Sequence, residues 1–105
     1  MTADIDVIKK CKAALQKHYG SMFKGLILYG SLARNQSDAA SDIDLIVLLN
    51  SRFDYFEELR NIVDLLYPIQ LESDRLISAK PAPVDEFERG SIQLYRNAKK
   101  QGVEV

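Results

Sequence analysis

Two aspartates, Asp42 and Asp44, stand at the head of the most apolar stretch of the chain, which runs from Ile43 to Leu49. In an extended strand, positions i and i+2 point to the same face, roughly 6–7 Å apart along the chain. Two carboxylates held that way repel each other, and burial sharpens the conflict. A hard divalent cation relieves it. Magnesium prefers oxygen ligands and takes one or two carboxylates together with substrate phosphates. Upstream, Gly30-Ser31 closes a second apolar run, Gly25 to Tyr29. A glycine without Cβ lets a phosphate approach the backbone. Ser31 is suited to cap a short helix through Leu32, Ala33 and Arg34, whose free N–H groups and dipole would favour an anion. Arg34 is itself a candidate phosphate contact. An Asp-x-Asp or a Gly-Ser alone carries little information. Joined in this order, between apolar strands, they describe a magnesium–nucleoside triphosphate site. Its chemistry would be in-line displacement at phosphorus, with the metal holding the triphosphate, stabilising the leaving pyrophosphate and lowering the pKa of the attacking hydroxyl.

The elements that must position these groups follow from the patterning. Residues 4–19 read as a helix with Ile5, Ile8, Cys11, Leu15 and Tyr19 on one face and Gly20 as its left-handed terminator. Residues 25–29 read as a buried strand, 35–41 as a loop, and 43–49 as a central strand buried on both faces. Asp54 is placed to cap a helix whose apolar face is Tyr55, Leu59, Ile62, Val63 and Leu66. Pro68 either ends it near Tyr67 or kinks it on its way to about Glu72. Leu76 to Ala79 is a third strand, after which Lys80-Pro81-Ala82-Pro83 is expected to break regular structure. Residues 84–100 are helical with an interruption at Gly90 and a restart at Ser91, and Val103 to Val105 form a terminal strand. The fold class is α/β, a small mixed sheet flanked by helices.

Composition restricts the function classes. The chain has 105 residues, 47% hydrophobic and 28% charged, which suits one globular domain spanning residues 1–105. Its 14 basic and 15 acidic residues leave a net charge of -1, which argues against a broad electrostatic grip on nucleic acid. No run approaches the roughly 18 apolar residues of a membrane span. The start of the chain lacks the plan of an export signal, so the expected compartment is the cytoplasm. Cys11 and His18 are assigned to packing or surface roles. Arg89, Arg96, Lys99 and Lys100 are assigned to a solvated helix face. A domain of this size has room for a triphosphate site but hardly for an acceptor pocket. The second substrate is therefore expected to be a macromolecule or a second subunit, and association of like chains stays open.

The stretch Gly30-Ser31-Leu-Ala-Arg-Asn-Gln-Ser-Asp-Ala-Ala-Ser41-Asp42-Ile-Asp44-Leu resembles the signature of the polymerase β-like nucleotidyltransferase superfamily. Element order and the closing Leu-Tyr-Arg-Asn-Ala-Lys-Lys-Gln-Gly-Val resemble its small branch, the minimal nucleotidyltransferases. The resemblance implies that Asp42 and Asp44 are catalytic magnesium ligands. It also implies that Gly30 and Ser31 hold the triphosphate of ATP and that Ser41 braces the acidic strand. It implies further an antitoxin role, in which AMP passes from ATP to a tyrosine hydroxyl of a helical HEPN-domain toxin. Two positions depart from the pattern. Asn35 stands where the family has glycine. The strand Leu76–Ala79 lacks the third carboxylate of active members, for which Asp74 and Glu72, just before it, are the candidates. A fold that neutralises its partner by docking alone is the alternative.

Overall fold

The alternation of residues along one strand organises this protein. The computed structural model describes residues 2–34, 38 and 40–105. The central strand β2, Ile43–Leu49, sends Ile43, Leu45, Val47 and Leu49 into one hydrophobic cluster and Ile46 and Leu48 into another. A strand buried on both faces has no polar side, which is why its sequence is apolar almost throughout. Four strands form the sheet in the order β3-β2-β1-β4. Strand β1 is Phe23–Tyr29, β3 is Ile77–Pro83 and β4 is Val103–Glu104. Strand β1 runs antiparallel to both β2 and β4, whereas β3 runs parallel to β2.

Helices cover both faces. On the first, α1 (Thr2–Tyr19) and α2 (Tyr55–Glu72) pack over the odd-numbered side of β2. Val7, Ile8, Cys11, Leu15 and Tyr19 form the buried stripe of α1, but Ile5, expected to extend it, is exposed. Gly20, at φ +57°, ends α1 in the left-handed conformation its sequence predicts. Asp54 caps α2, its carboxylate accepting from the Glu57 N–H at 3.0 Å. The helix runs through Pro68 to Glu72. Ile62 and Leu66 are its buried residues, while Tyr55 and Val63, expected on the same face, are turned outward. The Tyr19 hydroxyl donates to Glu58 at 2.8 Å and ties the two helices together. On the second face lie α3 (Val84–Arg89) and α4 (Gln93–Gln101), separated at Gly90 as predicted, with Ile92 rather than Ser91 at the start of α4.

Two expectations are corrected here. Residues 31–34 are a turn closed by the Arg34 N–H donating to the Gly30 carbonyl at 3.3 Å, not a helix capped by Ser31. One closed turn fixes several dihedrals for a single bond, which makes so short a helix unfavourable to nucleate. The second correction is at Lys80–Pro83, which belongs to β3 instead of breaking it. The reason is the edge position. The Ile77 N–H donates to Gln70 Oε1 at 2.7 Å, away from β2. Alternation puts the nitrogens of Pro81 and Pro83 on that same outward side, where no ladder donor is lost.

Cys11 is fully buried, and burial pushes its thiol up to about 11. Thiolate is the reactive form. In native protein at pH about 8, close to the free-thiol value, a thiol-specific dye is expected to leave Cys11 unmodified. In guanidinium it should react at once. Rapid labelling of native protein would show that the α1 face opens.

Candidate active site

The odd–even rule that builds the core also aims the acids. Asp44 shares the parity of Ile46 and Leu48, so it points to the face covered by α3 and α4, and Asp42 lies near enough for its charge to act on it. Asp42 is exposed just ahead of β2, and Asp44 is half-buried within it. Asp44 lies opposite Tyr29 on β1 and opposite Ser78 on β3. Burial first, and then the neighbouring Asp42 charge, hold the Asp44 carboxyl above the usual carboxylate range. Lys80 and Arg34 pull the other way.

Gly30 sits directly against this carboxylate. Its φ is +77°, and a Cβ built on it would collide with Asp44 Oδ2. Only glycine satisfies both the backbone sign and the close approach. Ser31 follows in the turn, half-buried. Arg34 stands at the rim, its Nη1 donating to Gln101 Oε1 at 3.5 Å. A cleft of about 250 Å³ runs between this turn and α4, lined by Tyr29, Gly30, Arg34, Leu94, Asn97 and Gln101 among others. Ser41 turns its hydroxyl back into its own loop, accepting from the Asp38 N–H at 3.0 Å and donating to the Asp38 carboxylate at 3.4 Å. Asn35 lies outside the described residues.

The candidates for a third acid stand differently. Glu72 pairs with Lys10 of α1 at 3.2 Å, and Asp74 is exposed before β3. Among the described residues, no cluster of three or more carboxylate, imidazole or thiol groups is suited to a metal. The donor set that is present fits a hard divalent cation in the mode that relies on two carboxylates and borrowed phosphate oxygens. The Asp44 carboxylate meets the glycine turn, Asp42 is close enough for its charge to act on it, and Asp44 holds its proton more readily than usual.

Sequence reasoning missed two groups on this face. Lys80 reaches from the edge strand across β2, and its Nζ donates to the Tyr29 hydroxyl at 3.4 Å. Tyr29 and Lys80 flank Asp44 from the two neighbouring strands. Their positions depend on strand register, which no local motif encodes.

Residues 9–104 match the family described as Polymerase beta, Nucleotidyltransferase. A Methanocaldococcus jannaschii protein named "Putative protein adenylyltransferase MJ0604" is 34% identical over 77 residues, covering 70% of this chain and 77% of that protein. Among the described residues no helix is long and apolar enough to cross a membrane. With this match over nearly the whole chain and a mixed sheet flanked by helices, the chain belongs to the polymerase beta nucleotidyltransferase family.

Proposed function

We propose that this protein is a magnesium-dependent adenylyltransferase that moves AMP from ATP to a tyrosine hydroxyl of a HEPN-type partner protein, as the antitoxin of a toxin–antitoxin pair. The observation that carries the reading is the contact between Gly30 and Asp44, with the Asp42 charge acting on the same carboxylate. The adenylyltransferase name of the archaeal relative supports the choice of AMP. Asp42 and Asp44 would hold magnesium, which when bound supplies charge neutralisation at the phosphates. Gly30 and Ser31 would seat the triphosphate against the backbone, with Arg34 at its rim. The acceptor oxygen attacks the α-phosphorus in line. The bond to the bridging oxygen breaks, pyrophosphate leaves with that electron pair, and the hydroxyl proton passes to solvent. At about 250 Å³ the cleft beside α4 is small for a nucleotide and an acceptor together, so the acceptor brings its own walls.

The test is incubation of the chain with magnesium, the partner protein and ATP labelled at the α- or the γ-phosphate. Label from the α-phosphate alone, on a tyrosine, is the expected result. No transfer from either label overturns it. One observation favours a second reading. Ser78, not an acid, faces Asp44 from β3. Inhibition of the partner without added AMP would identify docking as the mode of action.

A further inference from the structure

Asp42 stands just before β2, in a short segment, 40–42, that is neither helix nor strand. Arg75 holds that segment. Its Nη1 donates to the Asp38 carbonyl at 2.6 Å and to the Ser41 carbonyl at 2.8 Å. Its Nε donates to both carboxylate oxygens of Asp4 at 3.1 Å. The side chains of Arg75 and Asp4 are only 15% and 19% exposed. The backbone of Arg75 is itself clamped. Its N–H donates to Ser73 Oγ at 3.1 Å, and its carbonyl accepts from Ser73 Oγ at 2.9 Å and from Gln70 Nε2 at 3.0 Å. One arginine therefore ties the start of α1, through its guanidinium, and the end of α2, through its backbone, to the approach of the acidic strand.

We propose that Arg75 is a positioning residue for the acidic site, fixing the Ser41–Asp42 peptide and through it the aim of the Asp42 carboxylate. The Ser41 carbonyl it grips belongs to the same peptide group as the Asp42 nitrogen. Bonds from a cationic donor are roughly twice as strong as neutral ones. A planar fork can address a carboxylate and two carbonyls at once, which a lysine ammonium on a flexible stem does less well. Asp4 orients the fork and balances its charge. Arg75 acts through the backbone, because the group its Nη1 holds next to Asp42 is the Ser41 carbonyl. This role rests on the nucleotide-site reading given above.

Arg75→Gln and Arg75→Lys test it, with Leu65→Ala as a packing control, since Leu65 of α2 packs against the cluster on the other face of the sheet from α3 and α4. The readouts are calorimetric titration with magnesium-ATP, thermal unfolding, and amide hydrogen exchange over Ser41 and Asp42. Arg75→Gln is expected to weaken magnesium-ATP binding about 10–100-fold, the range for loss of a partner that orients a ligand. Exchange at Ser41 and Asp42 should rise with it, and Arg75→Lys should recover only part of each loss. Leu65→Ala should lower the unfolding temperature while leaving affinity and local exchange unchanged. If Arg75→Gln loses stability as Leu65→Ala does but keeps its affinity, the positioning role is overturned. If the parent protein binds no magnesium-ATP, the nucleotide reading falls instead. The exchange measurement then decides whether Arg75 holds this peptide, with unchanged exchange overturning that hold.

Discussion

Asp44→Asn is expected to cut AMP transfer at least about 100-fold, beyond the loss that follows removal of an outer-shell partner of a metal. The same change is expected to stabilise the metal-free protein at neutral pH. The two effects have one origin. In the folded chain, burial and the Asp42 charge make Asp44 hold its proton more tightly than a free carboxyl does. From the ordinary value near 3.9 up to the raised folded value, the folded state thus binds more protons than the unfolded state. Stability of the metal-free parent falls as pH rises through that window and stays lower above it. Asparagine carries no charge, so the variant lacks this decline. Thermal unfolding from about pH 4 to pH 8, across and above the carboxylate range, measures the difference. Magnesium with ATP should raise the midpoint of the parent and leave that of the variant unmoved. Asp42→Asn should match the loss of transfer. It should also lower the Asp44 pKa, because it removes the charge that repels it. A variant that transfers AMP as the parent does, or that is less stable at neutral pH, would mean Asp44 is a structural acid.

Gly30→Ala is expected to damage both stability and chemistry. A non-glycine residue held in the left-handed region costs about 1–3 kcal/mol. The added methyl also meets the Asp44 carboxylate, so either the turn or the acid must move. Displacing a reacting group by 1 Å costs roughly 100-fold in rate, and a comparable loss of transfer is expected here. Gly20→Ala is the natural comparison. Gly20 has φ +57°, and a Cβ added there meets nothing within 4 Å, so it incurs backbone strain without touching the acids. Equal unfolding midpoints with transfer lost only in Gly30→Ala would separate strain from placement. Full transfer by Gly30→Ala would remove the turn from the site.

The acidic site is legible in the sequence because its parts are close along the chain. Gly30, Ser31, Asp42 and Asp44 lie on or beside two strands that pair antiparallel, so a local motif carries most of the geometry. Helices α1 and α2 are legible from the spacing of their apolar residues, and strand β2 from an apolar run buried on both faces. Legibility fails where partners are distant. Lys80 comes to flank Asp44 only because β3 runs parallel to β2 in one register. Arg75 and Asp4 are 71 positions apart, and nothing near either residue foretells their contact. The strand through Pro81 and Pro83 reads as a break because proline normally loses a ladder bond. Which side of the strand lies at the sheet margin is a property of the assembled sheet.

That margin has a consequence for how molecules meet. An open sheet edge offers a row of unpaired backbone groups onto which a foreign strand can add, and stacked copies of such edges seed fibrils. Along the outward side of β3, two positions have no N–H at all, and the Ile77 N–H is already taken by Gln70. The edge is blunted by imino acids rather than by charge. Recognition of another protein by extending this sheet is disfavoured there, and crowded copies have a poor template for zippering together at that side.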